Sequence, residues 1–315
     1  VDALKYYLNS RWDERGYESD FGNIVQSRLD NQLLANPVFD YNNLSGTAGV
    51  KYTISDKLVS RFNLSSASRS PNPSELFSDG LHHSAAIIEL GDLRLEKEQS
   101  YKASLSLEGS FNRFTFGVNP YYNKIDNFII LEPFGVQQTT RGAFPVYQYN
   151  QVNARLFGVD VDAVYAFNDN FSLQSNLAYV NGQDLDREKP LIDMPAPNFT
   201  NTLTYSSKWH NLTLALRSQS VFTQTRYPNN DFIVPVPVNG TQVDTKVEIS
   251  KPPSGYNLFH FSSSIDLPVT NSSNLTLGFY VDNLLDTNYR DYLNRQRYFV
   301  DDLGRNFRIQ LKLNY

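Results

Sequence analysis

Two histidines stand side by side at His82 and His83, half of the chain's 4 histidines, and Glu89 follows in the same stretch. Imidazole nitrogen and carboxylate oxygen are donors that a borderline cation such as Zn²⁺ accepts, and adjacent histidines on a loop can donate together or to a passing ligand. Glu75, Asp79 and Asp92 flank them. The set suits a transient contact with a metal ion or metal chelate through His82, His83 and Glu89. No His-x3-His spacing supports a closed site, so the alternative is a loop whose polar side chains bond one another.

A second set lies near the end of the chain. Arg290, Arg295, Arg297 and Arg305 are interleaved with Tyr289, Tyr292, Tyr298 and Phe299. Guanidinium forks bind carboxylate or phosphate, and aromatic rings stack on planar ligands, so Arg295 and Arg297 could hold an anionic chelate. The plainer reading is a solvated face with Asp291, Asp301 and Asp302 as local partners. Catalysis finds little footing. Asp160 and Asp162 share one strand face, where they line a polar surface more simply than they form an acid and base pair. No nucleophile, phosphate loop or triad stands out, and we expect no enzyme and no resident cofactor. With no cysteine, thiolate chemistry and disulfides are excluded. The net charge of -5 speaks against a nucleic-acid partner.

The elements that must position these residues read as strands. Phe307, Ile309, Leu311, Leu313 and Tyr315 alternate with Arg308, Gln310, Lys312 and Asn314. Tyr101, Ala103, Leu105 and Leu107 alternate in the same way, as do Phe171, Leu173 and Leu177, and Leu275, Leu277, Phe279 and Val281. Residues two apart share one face of a sheet, so each ladder is a strand with one apolar face. Almost no helix is expected. No apolar run reaches the ~18 residues of a spanning helix, and the start at Val1, without a charged-then-apolar leader, is not that of an unprocessed precursor.

Short polar connections, at Ser55 to Lys57, Gly109 to Asn112, Asn168 to Asn170, Ser206 to Asn211 and Pro268 to Asn274, alternate with long irregular ones. The long ones run over Gly16 to Asn43, Ser70 to Glu98, Leu131 to Pro145, Asn181 to Pro197, Thr225 to Pro252 and Leu284 to Leu303. Structureless loops beyond ~12–15 residues are uncommon in a compact soluble domain, whereas outer-membrane barrels carry short turns on one side and long loops on the other. The expected fold is therefore an all-β transmembrane antiparallel up-and-down barrel of about twelve strands in this chain. A passive porin, a small complete barrel, or a soluble all-β binding protein or glycosidase are the alternatives. Aromatics such as Tyr121, Tyr122, Tyr165, Phe167, Phe171, Tyr179 and Tyr205 fit interfacial girdles, with packing in a core the equally close alternative.

Five stretches resemble the barrel of TonB-dependent outer-membrane receptors. They are Ser68-Arg69-Ser70-Pro71-Asn72-Pro73-Ser74-Glu75-Leu76-Phe77 with His82-His83, and Gly91-Asp92-Leu93-Arg94-Leu95-Glu96-Lys97-Glu98, where Lys97 replaces the usual proline. The others are Asn119-Pro120-Tyr121-Tyr122-Asn123-Lys124-Ile125-Asp126-Asn127-Phe128-Ile129, Val281-Asp282-Asn283-Leu284-Leu285-Asp286 with Tyr289, and Gly304-Arg305-Asn306 with the terminal aromatic strand. The resemblance implies that residues 1–315 are the C-terminal portion of a barrel of roughly 22 strands, with the plug domain and first strands outside this chain. It also implies import of a metal chelate of siderophore, haem or zinc type. The energy would come from the TonB complex through the plug, across the outer membrane of a Gram-negative cell. The implied partners are outer-membrane lipid, the protein's own N-terminal plug and a small-molecule substrate. Phe307 and Tyr315 would form the signal that assembly machinery reads.

Overall fold

The computed structural model describes residues 4–18, 25–26, 33–34, 38–238, 241–270 and 273–315. Among them, twelve strands follow one another in chain order across one antiparallel sheet. They are β1 (Leu4–Glu18), β2 (Val38–Ser55), β3 (Leu58–Arg69), β4 (Glu98–Phe111), β5 (Phe114–Thr139) and β6 (Gly142–Ala166), then β7 (Phe171–Asp184), β8 (Asn198–Ser206), β9 (Thr213–Val221), β10 (Tyr256–Pro268), β11 (Asn274–Asp282) and β12 (Asn306–Asn314). The helical content is one short helix, α1 (Pro73–Phe77), and two 3₁₀ turns among the described residues. No helix of the described residues is long and apolar enough to cross a membrane.

Register carries the sequence alternation across the whole sheet. Leu107, Val118, Val161, Leu177 and Phe199 form one continuous row on one face. One residue along, Glu108, Gly117, Asp162, Asn176 and Thr200 form a row on the other. The first face stands open: Leu177, Leu203, Leu216, Phe279 and Leu311 are all exposed. In water so broad an apolar surface would be an aggregation site, while in a bilayer it is the surface a barrel presents to lipid.

The five short connections lie where expected, as tight links between β2 and β3, β4 and β5, β6 and β7, β8 and β9, and β10 and β11. Phe114 and Phe116, Tyr165 and Phe167, and Phe171 and Tyr205 pair their rings at this end, with centroids 5.6, 5.1 and 4.9 Å apart. Tyr121 departs from the girdle reading. It lies on the opposite face, under the Lys102 ammonium at 4.8 Å.

The stretch from Leu131 to Pro145 is not an irregular loop. β5 and β6 run on through it to a turn at Thr140 and Arg141, giving strands of 26 and 25 residues. About 9–11 residues suffice to cross a bilayer, so this hairpin projects well past the membrane. Two register shifts, at Val146/Tyr147 and Val152/Ala154, interrupt the projecting part. Likewise β1 and β2 pair through Glu18 and Val38, so both flanks of the Gly16 to Asn43 stretch are strand.

The buried apolar clusters sit at this projecting end. Ile125, Ile130, Val152 and Ala154 close on Leu191 from the link between β7 and β8. Leu76 and Leu95, from the link between β3 and β4, close on Ile129. The links between β3 and β4 and between β7 and β8 thus fold down onto the sheet and form a packed cap.

Candidate functional site

The link between β3 and β4 is held at its base by a charged staple. Asn72 caps α1 by accepting from the Glu75 N–H, while the Glu75 carboxylate accepts from the Asn72 N–H at 2.8 Å, with Pro73 at the first helical turn. Arg69 then donates to both Glu75 oxygens, at 3.1 and 2.9 Å, and to Glu98 at 2.6 Å. The remaining Glu98 oxygen accepts the Ile129 N–H at 2.6 Å. Asp92, buried, receives a two-point contact from Arg94 at 2.9 and 2.8 Å. Glu75 and Asp92, which flank the histidines in sequence, therefore work as partners of arginine. Gly91 is needed for this fold-back, since a Cβ there would lie 2.4 Å from the Leu76 carbonyl oxygen.

Beyond the staple the chain forms a small hairpin, Asp79–His82 with Ile87–Leu90. Its second strand pairs in parallel with β6, Ile88 to Val146 and Leu90 to Gln148, on the edge that β7 leaves free above Ala154. This carries His82 and His83 to the cap, both exposed, with His82 Nδ1 3.9 Å from Glu89 Oε1. Among the described residues no group of three or more His, Asp or Glu side chains is arranged to hold a metal ion.

The arginine segment arrives from the other end of the sheet. Asn283, buried and with a left-handed φ of 49°, knots its entry: its side chain donates to the Thr287 carbonyl and accepts the Thr287 N–H, at 2.8 and 2.9 Å. Asp286 accepts the Arg305 N–H at 2.7 Å and ties the exit. Between them the 3₁₀ turn Arg295–Tyr298 presents Arg295 over the Tyr147 ring at 5.3 Å, and Arg297 between the Tyr292 and Tyr298 rings at 4.7 and 4.6 Å. Burial raises the pKa of the Tyr292 and Tyr298 phenols, so both stay neutral beside these cations. Asp193, from the link between β7 and β8, faces both guanidiniums.

The two sequence sets meet. Gln296, between the two arginines, donates to the Ser84 carbonyl at 2.7 Å, next to His83. Tyr147, under Arg295, sits opposite Glu89 in the parallel pairing. Tyr298 adds the link between β9 and β10, donating to the Ile249 carbonyl at 2.9 Å. Four long connections thus join over one end of the sheet around His82, His83, Glu89, Arg295 and Arg297. Tyr147 and Asp193 complete the arrangement, although neither carries a chemical motif of its own. Phe307 stacks on Phe279 at the start of β12, 6.4 Å between centroids, and Tyr315 is fully exposed past its end.

A family profile described as "TonB dependent receptor-like, beta-barrel" matches residues 1–284. No curated protein sequence matches the chain. Among solved structures, the copper transporter OprC aligns with a TM-score of 0.74 and 20% identity, over 97% of this chain and 45% of that one. The FrpB iron transporter from Neisseria meningitidis aligns at 0.62 and 14%, over 99% and 43%. A mutant of the ferric enterobactin receptor PfeA from Pseudomonas aeruginosa aligns at 0.61 and 16%, over 98% and 50%. At these identities the likeness is one of fold, and this chain spans half or less of each of the three.

Proposed function

The chain belongs to the TonB-dependent receptor-like β-barrel family, an outer-membrane family of transport receptors, and on that footing we propose that it is the C-terminal portion of a receptor importing an anionic metal chelate. The observation that carries this reading is the junction of Gln296 with Ser84, which sets two guanidiniums and two histidines in one mouth. Arg295 and Arg297 would take the anionic arms of the chelator in fork geometry, backed by the Tyr147, Tyr292 and Tyr298 rings that pack against their guanidiniums. With fewer than three grouped donors among the described residues, the chain would leave the metal in its chelator and touch it only in passing through His82, His83 or Glu89. Solved structures of the same fold bear the names of copper and iron transporters, which supports a metal-bearing cargo.

In this reading the plug and the first strands of the barrel lie outside residues 1–315, and the energy reaches the cargo through TonB acting on that plug. Phe307 and Tyr315 serve assembly. The test is capture of ferric citrate, an anionic chelate, by cells carrying the protein. Replacing both His82 and His83 by alanine, or Arg295 by glutamine, should weaken capture at unchanged surface abundance. Equal capture by all variants would remove these residues from the site.

A further inference from the structure

Asp193 is held in place from both sides. Leu191 is 1% exposed in a buried cluster, and the Met194 carbonyl accepts from Gln224 at 2.9 Å. Between them Asp193 adopts a left-handed φ of 53° and aims its carboxylate at Arg295 and Arg297. The contacts are nevertheless long, 3.4 Å to Arg295 and 3.9 Å to Arg297. Charge-assisted pairs settle at about 2.7–2.9 Å. Arginines elsewhere in this chain reach such distances: 2.6 Å for Arg69 on Glu98, 2.8 Å for Arg94 on Asp92, and 2.6 Å for Arg290 on Asp301.

Arg297 is also under-served. It is 8% exposed, its Nε is buried without a partner among the described residues, and besides the long contact with Asp193 its other nitrogens donate to the Tyr298 hydroxyl and, at 3.4 Å, the Asn294 carbonyl. A buried donor left unpaired costs free energy that a ligand can recover. The remaining carboxylates of this segment are engaged elsewhere. Asp291 accepts from the Tyr256 hydroxyl at 2.7 Å, Asp301 from Arg290 at 2.6 Å, and Asp302 from the Asp291 N–H and the Asn294 amide at 2.7 and 2.9 Å. Two guanidiniums therefore face one loosely held carboxylate in a cage walled by Tyr147, Tyr292 and Tyr298, with Glu89 opposite Tyr147.

We infer that Asp193 is a resident stand-in for the ligand's own anionic group, and that a polyanion carrying carboxylate or phenolate arms displaces it. The incoming anion closes on Arg295 and Arg297 at normal distances and satisfies the orphaned Arg297 donor. Asp193 leaves, and the contact between the links β7–β8 and β11–β12 opens. Ligand entry is thereby coupled to release of one clasp of the cap. The affinity measured in the native protein is lowered by the fraction of time Asp193 occupies the cage. This inference rests on the receptor reading and specifies the regulation of that site.

The test uses the intact protein in detergent at low salt, with citrate as the probe, read by calorimetry and by hydrogen exchange over residues 185–197. Asp193→Asn keeps the size and the tolerance for a left-handed backbone while removing the charge. It should bind citrate about fivefold or more tighter and show fast exchange over 185–197 before citrate is added. The native protein should reach that exchange only with citrate present, and Arg295→Gln and Arg297→Gln should each lose binding. Asp193→Asn binding citrate no better than the native protein would overturn the inference. If the arginine variants still lose binding in that case, the receptor reading stands without the stand-in. Citrate binding indifferent to both arginines would overturn the inference and remove the anion site from the receptor reading as well.

Discussion

Glu75 and Glu98 share one guanidinium, and both carboxylates are nearly buried while Arg69 is partly open to water. Arg69→Met should therefore destabilise chiefly by stranding two carboxylates, on the order of 2 kcal/mol, seen as earlier loss of the heat-resistant folded form in detergent. An Arg69→Lys variant should recover only part of this, because an ammonium cannot reach both acids in fork geometry. At this scale residue type singled out His82, His83, Arg295 and Arg297, and all four lie in the cap. What could not be read was their meeting, which rests on the bond between Gln296 and Ser84 across 212 positions and on Arg295 over Tyr147 opposite Glu89. Tyr147 and Asp193 were invisible for the same reason, since each lies in another segment and only the packed cap brings it to the arginines.

Adjacent residues on one strand test the orientation of the sheet. Leu177 and Asn176 in β7 face opposite ways, Leu177 between Val161 and Phe199, Asn176 between Asp162 and Thr200. Leu177→Arg should cost about 2–4 kcal/mol near mid-membrane, whereas Asn176→Arg, beside Asp162, should cost little. Equal penalties in unfolding titrations would mean that the apolar face does not meet lipid. The hairpin Phe232–Val238 with Thr241–Val247 offers a pH test. At its base the Asp231 carboxylate accepts the Ile249 and Ser250 N–H groups at 3.1 and 3.0 Å and pairs with Lys246 at 3.0 Å. The Ser250 hydroxyl and N–H, with Lys246, hold it at about 2 against an ordinary 3.8. A depressed carboxylate stabilises the fold above its ordinary value, so this base should be intact above pH 4 and loosen as pH falls toward 2. Amide exchange at Ile249 and Ser250 should rise through that window, and Asp231→Asn should abolish the dependence. The elements were largely legible because alternation and turn chemistry agree. Leu131 to Pro145 was not, since a strand running beyond the membrane has no lipid-facing side to enforce alternation. Its bulge at Phe134 and its glycines, Gly135 and Gly142, then resemble a loop.

At the scale of the molecule, the order of the twelve strands was readable from the alternation of short and long connections, because an up-and-down sheet pairs each strand with its neighbour in the chain. The same asymmetry sets the short turns and aromatic pairs at one end and the packed cap with its arginines and histidines at the other. In the proposed receptor, cargo would be caught at the capped end and energy would arrive from the opposite one. The most direct test is accumulation of iron supplied as ferric citrate, compared between cells that make the protein in its native gene context and cells that lack it, with and without a protonophore. The account predicts accumulation that requires the protein and collapses when the proton gradient is discharged. Accumulation that persists in the de-energised cells, or that is equal without the protein, would contradict it.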